Sequence, residues 1–416
     1  MKKINVALYG MLTIGVLCNI QGCSFKELDN AIKSQQDKPE IEFELPTQIM
    51  ELQLDLPIEI ASDEIQENET AEEIIEVSDI YYAYHKLDDT KQKIYMEIFN
   101  ALDDYKEEVM LSAIDKGLID EVFTCVMNDH PELFYVDGYK CTEYSLNNKI
   151  TDISFGGTYS MTYEEVIATK NQIDEVLAPI LREVPLNEDE YYTIKYIYEF
   201  LINNTEYNKA ADNNQNICSV FLQGESVCQG YAKAMQYMLH KMDMQAFLVT
   251  GFTNGERHAW NLVKVNGQYY YTDPTWGDAS YFYNGETVDA NGTYSPQINY
   301  DYFLVTTDEI TRTHSIERVV ELPECISIKD DYFYREGLYF ESYDDDKLKL
   351  IFECFQQTEA GYVTIKCSNK EVYDEMLTKL IKDKAIFDFL DNHGDTIAYT
   401  SNEKQETISF WKAVIN

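Results

Sequence analysis

The dipeptide Asn266-Gly267 constrains this chain more than any other feature of its sequence. It separates two runs, His-Ala-Trp-Asn-Leu-Val-Lys-Val at 258–265 and Gln-Tyr-Tyr-Tyr-Thr-Asp at 268–273. Asn-Gly between apolar runs is the strongest short-range signal for a two-residue hairpin, because both central positions require φ > 0. A two-residue turn fixes the register. Val265 then opposes Gln268, Trp260 opposes Asp273 and His258 opposes Thr275. Opposed residues share one face of a sheet, so His258 and Asp273 are diagonal neighbours, with Cβ atoms about 7 Å apart or somewhat less. A hydrogen bond between imidazole and carboxylate closes that gap.

Upstream lies Ser226-Val227-Cys228-Gln229. Ser followed three residues later by Gln is a capping-box pattern. Tyr231, Ala234, Met235, Met238 and Met242 then recur at the spacing of a buried helix face. The expectation is a helix with Ser226 as N-cap and Cys228 in the first turn. Free N–H groups and the positive dipole end there favour a thiolate. The plain alternative is a buried structural cysteine.

Cys228, His258 and Asp273 make chemical sense together. A thiol is a weak nucleophile near neutral pH, so His258 takes or holds its proton. Asp273 fixes the imidazole tautomer and stabilises the imidazolium. An oxyanion hole is also required. The Cys228 backbone N–H is one donor, and Gln223 and Tyr207 are candidates for the second. Trp260 and Trp276 either wall a substrate groove or pack the hairpin core. His314 receives no catalytic role, because the triad is complete without it. The 33 tyrosines suit either contact surfaces or amphipathic filling of a core.

The formal net charge of −41 argues against nucleic-acid binding, which needs clustered Lys and Arg. It argues equally against unaided adsorption to anionic lipid. The nine cysteines include no CxxC pair and no Cys/His cluster with zinc-ligand spacing, so neither a metal nor a cofactor is expected. With Cys18 and Cys23 in the leader and Cys228 catalytic, six cysteines remain to pair or stay buried.

Lys2 and Lys3 precede an apolar stretch from Ile4 to Ile20, with the length and flanks of an export signal. It ends in Ile20-Gln21-Gly22-Cys23, which resembles a bacterial lipobox. The resemblance implies a lipoprotein signal peptide over 1–22, acylation of Cys23 and a membrane partner through that anchor. The alternative is an uncleaved N-terminal anchor. Both readings put the rest of the chain outside the cytoplasmic membrane.

Residues 23–78 read as an acidic tether, with Phe25 and Phe43 its only aromatics. Met50, Leu52, Leu54, Leu56, Ile58 and Ile60 alternate as in a strand, but the other face is mostly acidic and Pro57 interrupts it. A docking strand is the competing reading. An N-terminal α+β domain follows over 79–185, with helices expected over 89–114, 162–182 and 188–203 and a hairpin over 137–160. The catalytic domain spans 186–318. A small C-terminal α+β domain spans 319–416, with strands at 332–341, 361–367, 395–400 and 406–412 and helices at 345–357 and 370–390.

The stretch Gly224-Glu225-Ser226-Val227-Cys228-Gln229-Gly230-Tyr231-Ala232-Lys233-Ala234, preceded by Tyr207-Asn208, resembles the cysteine motif of bacterial transglutaminase-like domain proteins. His258-Ala259-Trp260-Asn261 and Asp273-Pro274-Thr275-Trp276-Gly277-Asp278 are similar to that family's histidine and aspartate motifs. Tyr302 to Thr306, Thr313-His314 and Asp129 to Phe134 resemble its extracellular lipoprotein members. The resemblance implies an α+β, papain-like fold, with the cysteine at a helix N-terminus packed on an antiparallel sheet. It implies acyl chemistry through a thioester on a protein or peptide substrate. Hydrolysis by a peptidase or amidase is the expectation. Glutamine cross-linking, or a non-catalytic surface binding protein on the same scaffold, are the alternatives.

Overall fold

The computed structural model describes residues 77–185, 189–278, 298–357, 362–390 and 396–413, with two short strands at 282–283 and 286–287. The leader 1–22, Cys23 and the acidic stretch up to residue 76 lie outside the described residues. No helix among the described residues is long and apolar enough to cross a membrane.

The described chain opens with α1 (Asp89–Asp103), capped by the Asp88 carboxylate on Lys91 N. It does not continue as helix to residue 114. Tyr105 adopts a positive φ of 56°, and Val109–Met110 forms a short strand, β1, paired with β3 (Lys149–Tyr159). Met110 and Ile114 are 55% and 54% exposed, so their helical spacing was coincidental. Helix α2 (Lys116–Asp129) leads into β2 (Val136–Leu146), which pairs with β3 as the expected hairpin. The helices α3 (Tyr163–Arg182) and α4 (Glu190–Asn204) come next. Thr162 and Glu165 close a reciprocal capping box at the start of α3.

Two-residue strands β4 (Glu206–Tyr207) and β5 (Glu225–Ser226) pair in parallel and set Tyr207 opposite Ser226. Helix α5 (Cys228–His240) starts immediately afterwards. Strands β6 (Ala246–Thr253), β7 (Glu256–Val265) and β8 (Gln268–Thr272) form an antiparallel meander. A short helix, α6 (Pro274–Gly277), comes next, then α7 (Thr307–Thr311) and β9 (His314–Glu317). Strand β9 returns to pair with β6, so the sheet order is β9-β6-β7-β8.

Helix α5 packs on this sheet. Ala232 is buried with Leu248 and Ala259, and Asn261 Nδ2 donates to the Ala232 carbonyl (2.9 Å). Farther along, Gln236 Nε2 donates to the carbonyls of Asn128 (2.7 Å) and Ala246 (3.2 Å). Those bonds tie α2, α5 and β6 together and hold the helix axis against the sheet. One hydrophobic cluster runs from Tyr82 to Cys325 and joins the 79–185 and 186–318 stretches.

A second cluster, Phe340 to Phe410, belongs to the C-terminal part. Residues 332–341 are not one strand there. Asp331 caps α8 (Tyr332–Arg335), and only Tyr339–Phe340 (β10) is extended. Helix α9 (Asp345–Gln357), strand β11 (Tyr362–Cys367) and helix α10 (Lys370–Met376) come after it, then β12 (Thr396–Asn402) and β13 (Thr407–Ala413), in sheet order β10-β11-β13-β12. The expected helix over 370–390 is broken into α10, a π-turn at Leu377–Lys382 and a 3₁₀ turn at Ala385–Phe389. Lys366 of β11 is buried against Glu309 (2.6 Å) and Asp331 (3.4 Å), which locks the C-terminal sheet onto the segment leading to β9.

Candidate active site

The Asn-Gly turn forms as the sequence requires. Asn266 and Gly267 have φ of 49° and 79°, and the ladder runs Val265↔Gln268, Lys264↔Tyr269 to Asn261↔Thr272. Beyond Thr272 the chain leaves the strand. Asp273 becomes the N-cap of α6, with Oδ1 accepting from Thr275 N (2.9 Å) and Trp276 N (3.1 Å). Pro274 at the first helical position loses no hydrogen bond there. The cap leaves Oδ2 free to reach across to β7. His258 donates its Nε2–H to that oxygen at 2.6 Å. An ionised carboxylate only accepts, so Nε2 carries the hydrogen and Nδ1 is left for the cysteine.

Both groups are buried. Burial by itself opposes the charged imidazole, but the Asp273 charge and hydrogen bond, followed by the Cys228 thiol, lift His258 from 6.5 to about 10. Burial likewise opposes the Asp273 carboxylate, and the bonds and charges of His258 and His314 outweigh it, holding the acid well below its usual range. The pair is thus an ion pair at neutral pH. The Cys228 thiol also raises His258, after Asp273.

Cys228 lies in the first turn of α5, as expected, but as its first residue, because the cap differs. The N-cap is Val227, with extended backbone and no side-chain bond to the first turn. Ser226 lies in β5 instead, where its hydroxyl donates to Asn214 O (2.9 Å) and sits 2.8 Å from Ser219 Oγ. The capping box therefore does not form, and the N-cap side chain takes none of the first-turn N–H groups. Gly230 makes room for this arrangement, since a Cβ there would lie 1.9 Å from Ser226 Oγ and 2.9 Å from Asn214 O.

Of the two candidate oxyanion donors, Gln223 is exposed. Tyr207 is half-buried beside Ser226. Burial first, then the neighbouring Cys228, Glu256 and Asp273, push its phenol up to about 12, so its O–H stays available as a donor. Trp260 is fully buried, which makes it core. Trp276 is half-buried and packs edge-on against Tyr302, with ring centroids 4.8 Å apart. The seven cysteines of the described residues are all free. Burial pushes the thiols of Cys125, Cys218, Cys325 and Cys367 up to about 12, as expected of structural cysteines.

Sequence reasoning set His314 aside. It is fully buried at the start of β9, and its Nε2 lies 3.0 Å from the same Asp273 Oδ2 that serves His258. Trp260, Trp276 and Tyr302 enclose the ring. Among the described residues, His258, Asp273 and His314 are the one group with a metal-ligand composition, their ligand atoms lying within 4.8 Å of one another. The geometry found is that of two N–H donors on one carboxylate oxygen. The missing signal was register: His314 opposes Thr253 on β6, and Gly251 of β6 opposes His258. Alternation along β6 and 314–317 reveals this neighbour only once those strands are known to pair.

Residues 180–274 match the family model described as the transglutaminase-like superfamily. That segment contains Cys228, His258 and Asp273 and ends before His314. That segment is thus similar to the transglutaminase-like superfamily, and the structure around it is an α+β core. Over 132 residues the chain is 23% identical to kyphoscoliosis peptidase of Homo sapiens, a match covering 28% of this chain and 20% of that protein. It therefore spans about one fifth of that relative's length. A solved structure of a TGase is 17% identical, covering 38% of this chain and 49% of that one, with a TM-score of 0.26. A candidate cysteine protease of Cytophaga hutchinsonii is 15% identical, covering 33% and 61%, with a TM-score of 0.23.

Proposed function

We propose that this chain is an exported cysteine acyl-transfer enzyme, a peptidase or amidase that acts on protein or peptide substrates through a thioester. The observation that carries the reading is the buried Asp273–His258 ion pair, with the Cys228 thiol acting on the same imidazole. The reacting form is a Cys228 thiolate beside the His258 imidazolium. The thiolate attacks the amide carbonyl carbon, and the oxyanion is met by the Cys228 N–H and the Tyr207 hydroxyl. As the C–N bond breaks, His258 gives its proton to the leaving amine, and the acyl group stays on sulfur. Water then attacks the thioester, His258 takes its proton, and the acid leaves as the thiolate returns. An amine in place of water gives a new amide. We propose water as the acceptor because it is the abundant one.

The leader supports export and lipid anchoring. Lys2, Lys3 and the apolar run to Ile20 precede Cys23, whose acylation would hold the enzyme on the outer face of the membrane. The acidic stretch after it would serve as a tether.

The test is mass spectrometry of an amide-bearing peptide library incubated with the protein, with and without added amine. Cleaved peptides that disappear with Cys228→Ala support the proposal. Amine adducts on glutamine would instead make the enzyme a transglutaminase. Unchanged peptides under both conditions would contradict acyl transfer.

A further inference from the structure

The carboxylate of Asp273 is held by more than a triad requires. Oδ1 is pinned by two backbone N–H groups of α6, and Oδ2 takes an N–H from each of two buried imidazoles, at 2.6 Å from His258 and 3.0 Å from His314. The second ring is itself fixed. Its Nδ1 lies 2.8 Å from Thr313 Oγ1, a polar contact on the side away from Asp273. Trp260 and Trp276 lie beside the ring, with centroids 4.8 and 4.9 Å away. The close approach of β9 that puts the ring there depends on Gly251, where a Cβ would sit 2.0 Å from Ser315 O. Nothing in acyl transfer as derived above requires this fourth group.

We infer that His314 is a positioning residue of the acyl-transfer site: it holds Asp273 in place and limits how strongly that carboxylate retains a proton on His258. Two donors share one acceptor oxygen. Each donor on Oδ2 draws density from it, so the bond to the other donor weakens. An Asp273 bonded to His258 alone would be the stronger partner and would stabilise the imidazolium further. That costs rate, because His258 must give its proton to the leaving amine before the C–N bond can break. Asp273 thus keeps His258 charged at rest, and His314 keeps it acidic enough to act. It does so from a buried position, through Asp273, without touching the substrate.

The inferred role rests on the acyl-transfer reading, and two readouts separate them. The first is the histidine NMR titration of His258 in the intact protein, compared with His314→Leu and His314→Gln. Leucine removes the donor, and glutamine offers an amide N–H of similar reach. The Leu variant is expected to titrate about one pH unit higher at His258, and the Gln variant near the wild type. The second readout is kcat/KM against pH. The alkaline limb should move up with the titration in the Leu variant, with kcat lowered about tenfold and KM little changed. Thr313→Val, which removes only the hydroxyl at Nδ1, should shift His258 in the same direction by less, and serves where the Leu variant fails to fold. An unmoved His258 titration in folded variants, or equal losses with Leu and Gln, would overturn the inference. The titration is read whether or not Cys228 forms a thioester, so an absent thioester overturns the underlying reading instead.

Discussion

Replacing Asp273 with Asn keeps the shape of the side chain and removes its charge. The carboxylate accepts from two backbone N–H groups and two imidazole N–H groups. Asparagine has one acceptor oxygen. If that oxygen keeps the cap on Thr275 and Trp276, its amide hydrogens meet the N–H groups of His258 and His314. At least one ring must then change tautomer or move. His258 also loses the charge that lifts it to about 10, and burial alone favours the neutral ring, so its pKa should fall below the ordinary 6.5. Near neutral pH the imidazolium disappears, and with it general acid catalysis worth about 10²–10⁴-fold in rate.

The pH dependence of stability changes with it. In the native protein the raised pKa of His258 contributes stability that is complete below pH 6.5 and is lost as pH rises through about 10. The depressed pKa of Asp273 contributes stability present above its ordinary 3.8 and lost as pH falls through its lowered value. Asp273→Asn should flatten both slopes, at a cost of about 1.5–3 kcal/mol near neutral pH for the charge-assisted bonds. The assays are urea unfolding from pH 4 to 10 and kcat/KM over the same range. A variant that keeps wild-type kcat at pH 7, or whose stability still declines between pH 6.5 and 10 as in the native protein, would refute the ion-pair reasoning.

Tyr207→Phe should lower kcat about 10²–10³-fold with KM little changed, as steady-state kinetics on a cleaved peptide would show, because the lost hydroxyl serves only the oxyanion. Gly230→Ala should destabilise by about 1–3 kcal/mol in denaturant melts. It should also slow alkylation of Cys228, since the new methyl pushes on Ser226 and Asn214 at the start of α5. Lys366→Met leaves Glu309 and Asp331 buried without their cation and should cost about 3–5 kcal/mol by urea unfolding.

The legible parts of this molecule were those set by local rules. The Asn266-Gly267 turn fixed a register, and the register placed His258 beside Asp273 without knowledge of any other strand. The apolar spacing after Cys228 gave α5 with Cys228 in its first turn. The features that escaped depended on distant chain. Ser226 matches a cap in sequence, yet its hydroxyl finds Asn214 and Ser219 first. The 104–114 stretch has helical spacing, but β3 supplies a strand partner at Val109–Met110. His314 reaches Asp273 because β9 returns to β6 from more than sixty residues away, a pairing that no local pattern announces. Cys228 at a helix start and His258 beside Asp273 were thus readable, and the contact of His314 with Asp273 was not.

The central claim is that Cys228 is activated by His258. Intact-mass measurement of labelling by a substoichiometric electrophilic thiol probe at pH 6 tests it most directly, with wild type, His258→Ala and Cys228→Ala compared and the modified residue mapped by peptide digestion. Cys228 should be labelled ahead of Cys354, the exposed free cysteine, and His258→Ala should slow that labelling at least tenfold. Equal labelling rates at Cys228 in wild type and His258→Ala would contradict the claim.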